Sequence, residues 1–133
     1  MTTYRRGDIV LMYFPNTNRE KIRRRPALVL EAREIDNEDV LPFLLVQSDQ
    51  LDSDLEQVIV ASITSKSFRI NRPYRILIST SDAQFAETGL VGESVIMTDS
   101  LATIYIGDIV KKIGIYPNMS LVDECLKQVL ALT

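Results

Sequence analysis

The constraint that bears hardest on this chain is its punctuation. Short apolar runs rich in β-formers, Ile9-Val10-Leu11-Met12-Tyr13-Phe14, Val58-Ile59-Val60-Ala61 and Tyr74-Arg75-Ile76-Leu77-Ile78 among them, alternate with Gly, Pro, Asn and Asp. Runs of this length bounded by turn formers predict strands, and several in series predict a small β-sheet or barrel. Helical spacing is clear only at the end, where Leu121, Val122, Cys125, Leu126, Val129 and Leu130 recur with Ser120 ahead of them as a cap. The expectation is a mainly β domain, residues 1–133, bent strongly and closed by a C-terminal packing helix.

Within that frame, strands are expected over 9–14, from Pro26 to about Arg33, over 40–46, 58–66 and 74–78, through Glu93–Asp99 and over 109–114. Pro42 has no N–H to give a ladder, which argues for an edge position for 40–46. Residues 49–57 are weakly patterned and fit a helical turn. Alternation puts Val95, Met97 and Asp99 on one face. An acid on an apolar face needs a hydrogen bond or a strand end.

Charge is segregated. Residues 1–30 carry a balance of +5, residues 31–57 of −8, residues 58–81 of +4 and residues 82–133 of −4, for a net charge of −3. The two basic blocks are able to fold onto one positive surface and attract a polyanion locally despite the acidic balance of the whole. The second block interleaves Arg69, Arg72 and Arg75 with Phe68 and Tyr74. Rings that stack bases beside arginines that meet phosphates suit single-stranded nucleic acid, and the same pattern suits an ordinary outward strand face.

Absences narrow the chemistry. There is no histidine and one cysteine, so Ser–His–Asp, Cys–His and paired-imidazole mechanisms are excluded, along with His-containing or Cys-rich zinc sites. The glycines are isolated and form no phosphate loop. Cys125 cannot form an internal disulfide, which suits a reducing cytosol, and its apolar neighbours make it a buried small hydrophobe. No apolar run approaches the roughly 20 residues of a membrane span, and no secretory leader is visible.

Two places carry candidate chemistry. Arg23-Arg24-Arg25 runs into Pro26, which forces Arg25 toward extended geometry where a loop becomes a strand. That suits a cation both exposed and well placed, or equally a solvated basic loop. Thr64, Ser65 and Lys66 end an apolar strand, where sites often sit. The same hydroxyls also suit capping of the turn that follows.

Gly7-Asp8-Ile9-Val10, Arg25-Pro26-Ala27-Leu28-Val29-Leu30, Val58 through Lys66 and Val95-Ile96-Met97-Thr98-Asp99 stand in an order that resembles the MazF/PemK-type toxins. So does the terminal helix after a Lys-Ile-Gly strand, and the resemblance covers nearly the whole chain. It implies an SH3-like barrel with added helices, a cytoplasmic homodimer, and cleavage of single-stranded RNA to a 2′,3′-cyclic phosphate without metal or cofactor. It also implies a cognate antitoxin protein that occupies the RNA groove. By that resemblance Arg25 falls on a catalytic arginine, Thr64 on a catalytic threonine and Asp99 on an acid used as base. Arg23, Arg24, Ser65, Lys66 and Arg69 are the expected RNA contacts. Met97 stands where the PemK-like branch has an arginine, which aligns the chain with the MazF style. The segment between Leu30 and Val58 is longer and more acidic than is usual there.

The residues fit that chemistry on their own terms. Arg25 offers fixed donors to a phosphorane but titrates too high for acid–base work near neutrality. Asp99 is the better proton acceptor if burial raises its pKa. Two other classes remain. A CcdB-like inhibitor of a protein target would share the fold but acts through a C-terminal tryptophan, and this chain has none. An inactive RNA-binding or regulatory member would use the same cations without cleaving.

Overall fold

The computed structural model describes residues 4–13, 40–51 and 56–132. The strand expected from Pro26 to Arg33 lies outside them. Among the described residues six strands are formed: β1 (Asp8–Tyr13), β2 (Val40–Leu45), β3 (Gln57–Thr64), β4 (Arg75–Ile78), β5 (Ser94–Tyr105) and β6 (Ile109–Ile115), followed by helix α1 (Met119–Leu130). They make one antiparallel sheet in the order β4-β5-β3-β2-β1-β6. The mainly β fold with a C-terminal packing helix is therefore the one expected. No helix among the described residues is long and apolar enough to cross a membrane.

Strand alternation gives the sheet two apolar layers. Ile9, Leu44, Ala61, Ile63, Ile76, Ile78 and Ile96 share one layer with Val122 and Cys125 of α1. Val10, Met12, Phe43, Leu45, Val58, Val60 and Ile104 form the other. Each fully buried side chain of this size contributes about 1.5–3 kcal/mol. Cys125, 6% exposed in the first layer, is the small hydrophobe its neighbours predicted, and burial pushes its thiol up from the ordinary value.

Pro42 is not on an edge strand. β2 lies between β1 and β3, with Pro42 opposite Leu11 and the β2–β3 ladder running only from Leu45 to Phe43. Val46 donates its N–H to the Ile59 carbonyl at 3.1 Å. By the two-residue alternation, Pro42 presents its missing donor to that same β3 side, where the ladder has already ended. A proline is thus tolerated in an interior strand because it sits one residue past the last pair. The helical turn expected over 49–57 is not formed in its described part, where residues 49–51 make a turn and bend and β3 begins at Gln57.

The ends of the chain are tied together. Gly7 takes a φ of +96°, accepts the Tyr116 N–H at 2.8 Å and donates to the Leu45 carbonyl at 2.9 Å. Asp8 is 3% exposed and accepts the Arg5 N–H at 2.8 Å and Lys112 Nζ at 3.1 Å. Arg6 pairs with Asp123 of α1. The helix starts earlier than Ser120 predicted. The Asn118 carbonyl accepts the Leu121 N–H at 3.2 Å, so Asn118 is the cap residue, and the Ser120 hydroxyl bonds the Asn118 side chain at 3.0 Å instead. At the other end Ala131 adopts a left-handed φ of 58° while Leu132 donates back to the Lys127 carbonyl at 2.8 Å.

Candidate functional site

The second apolar layer gives way to polar groups at one end of the sheet. On β3, Ser62 and Thr64 continue the face that carries Val58 and Val60. Pairing sets Thr64 opposite Val95 and Ser62 opposite Met97, and Met97 in turn stands opposite Arg75 of β4. The β3–β5 register then jumps, with Ala61 opposite Leu101, so Thr98, Asp99 and Ser100 bulge from β5 at the level of Ser62. The bulge is pinned by a 3.0 Å hydrogen bond between the Ser62 and Ser100 hydroxyls and by Thr98, which donates to the Tyr74 carbonyl.

Arg75 organises this corner. Its Nε and Nη2 donate to the two Asp99 oxygens at 3.1 and 2.8 Å. Its Nη1 donates to the Arg69 carbonyl and to Asn71 Oδ1, each at 3.1 Å. One guanidinium therefore joins β4, the β5 bulge and the 3-10 turn Ser67–Ile70. The side chains of Arg75 and Asp99 are 14% and 26% exposed, enough shelter to make a bidentate pair specific.

The pairing decides the charge state of Asp99. Hydrogen bonding from Arg75 lowers its pKa and outweighs the raising effect of desolvation, while the same bond raises Arg75. The condition for Asp99 as a strong base, a pKa raised by burial, is not met. The reason is a neighbour on another strand.

The remaining candidates fall into two groups. Thr64, Ser65, Lys66 and Arg69 follow one another from the end of β3 into the 3-10 turn, with Ser65, Lys66 and Arg69 exposed. Thr64 Oγ1 accepts the Lys66 N–H at 3.1 Å, so its hydroxyl also serves the turn, as the capping alternative had it. Asp99 stands on the same face, at the Ser62 level. Arg23, Arg24 and Arg25 lie outside the described residues. Sequence reading missed Arg75 as the partner of Asp99, and Ser62 with Ser100. The signal was present in part, since the pattern put Arg75 on a strand and Asp99 among face-sharing residues, but not the register between them. Among the described residues no group of three or more His, Cys, Asp or Glu is placed to hold a metal ion.

Comparison with known proteins places residues 35–130 under one family model, that of the PemK-like, MazF-like toxin of type II toxin–antitoxin systems. No curated protein matches the sequence. Among solved structures, the chain is similar to an endoribonuclease in complex with its cognate antitoxin from Mycobacterial species, at 15% identity over 98% of both chains with a TM-score of 0.67. It is also similar to the MazE–MazF structure (Form-II) from Deinococcus radiodurans, at 12% identity over 100% of both chains with a TM-score of 0.66. The Mycobacterium tuberculosis toxin MazF-mt6 matches at 22% identity over 73% of this chain and 92% of its own, with a TM-score of 0.57.

Proposed function

This chain belongs to the PemK-like, MazF-like toxins of type II toxin–antitoxin systems, and we propose that it acts as a metal-independent endoribonuclease on single-stranded RNA. The observation that carries the reading is the corner at the Thr64 end of β3. Hydroxyls and cations run there from Thr64 through Arg69, and the acid on the same face is neutralised by Arg75. Such a surface accepts a phosphodiester backbone without repelling it.

In the proposed reaction the ribose 2′-oxygen attacks the adjacent phosphorus. The new O–P bond closes a 2′,3′-cyclic phosphate as the P–O5′ bond breaks. The 2′-hydroxyl loses a proton and the departing 5′-oxygen gains one. Arg25 stabilises the charge gathered on the phosphorane, Thr64 orients the 2′-hydroxyl or a phosphate oxygen, and Arg23, Arg24, Ser65, Lys66 and Arg69 hold the backbone in line. Asp99 is ionised near neutral pH and accepts a proton only as a weak base, since Arg75 already occupies both its oxygens. Catalysis then rests on charge stabilisation and positioning. A cognate antitoxin covering the cationic surface, a homodimeric toxin and a cytoplasmic site of action complete the proposal.

The test is cleavage of a long single-stranded RNA with EDTA present, wild type beside Arg25→Ala, with the product ends mapped. Discrete cuts with cyclic-phosphate ends, lost in the variant, are the expected result; cuts that persist in a folded Arg25→Ala protein overturn it. The depressed pKa of Asp99 favours one second reading, an RNA-binding member without catalysis, which predicts binding with no cuts in any sequence.

A further inference from the structure

The 3-10 turn Ser67–Ile70 buries none of its residues, and Phe68 on it is 68% exposed. The Arg69 guanidinium lies over that ring, 5.3 Å from its centroid, and the Phe68 side chain stays mostly in solvent. A lone ring in water is ordinary on a floppy loop, but this turn is closed by its own backbone and clamped on its C-terminal side by Arg75. Arg69 donates its N–H to the Lys66 carbonyl at 3.0 Å, and Arg75 donates its N–H to the Arg72 carbonyl at 3.1 Å. The Arg75 side chain fixes the Arg69 carbonyl and Asn71 between them.

We propose that Phe68, backed by Arg69, is a stacking subsite for one unpaired base of the RNA bound at the Thr64 corner. The subsite rests on the reading of this chain as an RNA-binding toxin. The match is chemical. A flat π face beside a cation offers a nucleotide both of its needs, a surface for the base and a charge for the phosphate. Lys66, Arg69 and Arg72 are close to Phe68 in the sequence, and no acid occurs between Val58 and Ser81, so this segment favours a polyanion. The anchored turn has little ordering entropy left to lose on binding.

The experiment uses single-stranded oligonucleotides carrying 2-aminopurine at successive positions, 2′-O-methylated to block cleavage, with kcat and KM measured in parallel on unmodified RNA. Stacking on Phe68 quenches the probe at one position. Phe68→Ala and Phe68→Leu abolish that quenching and raise KM about tenfold with kcat unchanged, whereas Phe68→Trp keeps both. Cleavage with the same KM and quenching in Phe68→Ala overturns the subsite and leaves the nuclease standing. Position-specific quenching that needs Phe68, without cleavage by the wild type, keeps the subsite and removes the nuclease. A Phe68→Ala change in solution mass, with no quenching by the wild type, makes the ring a contact between copies and overturns the subsite.

Discussion

Arg75 and Asp99 lie 24 residues apart on neighbouring strands and meet through two N–H···O bonds of 3.1 and 2.8 Å. Because the third arm of the same guanidinium holds Arg69 and Asn71, breaking the pair frees the cation-bearing turn. Arg75→Ala and Asp99→Asn are both expected to raise KM for RNA several-fold, by unfixing Phe68 and Arg69. Arg75→Lys recovers little, since an ammonium cannot reproduce the fork. Steady-state kinetics with circular dichroism to confirm folding checks this.

The pH dependence follows from the same pair. Asp99 is depressed below its ordinary value by Arg75, so its contribution to stability is fully present above the unfolded carboxylate pKa of about 3.9. That contribution is lost as pH falls through the lower folded pKa. Between about pH 5 and 8 the pair is intact, and kcat/KM carries no acid limb belonging to Asp99. Profiles of wild type and Asp99→Asn are expected to differ in height and share a shape; a limb in that window that vanishes in Asp99→Asn would contradict the assignment.

Two left-handed residues predict opposite effects of exchanging Gly and Ala. Gly89 has a φ of +72°, and a Cβ there would stand 2.0 Å from the Ile113 carbonyl oxygen. Gly89→Ala is expected to cost about 2–4 kcal/mol. Ala131 holds a φ of 58° at the end of α1, so Ala131→Gly is expected to gain about 1 kcal/mol. Urea unfolding of the two variants gives both signs.

Cys125 reports on opening of the α1 face. Burial raises its thiol pKa and leaves it 6% exposed, so little thiolate is available to a disulfide reagent. Labelling in the native state is expected to follow the opening equilibrium, accelerating with urea along the unfolding curve. Rapid labelling without denaturant would show that α1 detaches on its own.

Salt dependence separates phosphate contacts from base contacts. Lys66→Ala is expected to weaken RNA binding and to reduce the slope of log K against log salt by about 0.7 per lost phosphate contact. Phe68→Ala weakens binding at unchanged slope. Titrations at several salt concentrations read both.

Elements with strong local patterning were legible in the sequence. Punctuated apolar runs found most of the strands, alternation put Val95, Met97 and Asp99 on one face, and helical spacing found α1. What depended on register was not legible. Pro42 looked like an edge residue because its one-residue offset from the β2–β3 ladder is set by pairing. Asp99 looked like a candidate for a raised pKa because Arg75 reaches it from another strand. Ser120 looked like a cap because nothing local showed the helix starting at Met119.

The pairing of β1 with β6 has a temporal side. Asp8 faces Ile115 and Met12 faces Ile109, so one flank of the first strand is completed only by residues made about a hundred positions later. At about 5–20 residues per second, that flank waits on the order of 5–20 s on the ribosome for its partner. Until then its unpaired amides are open to any passing strand. A chain stopped before Ile109 never covers them.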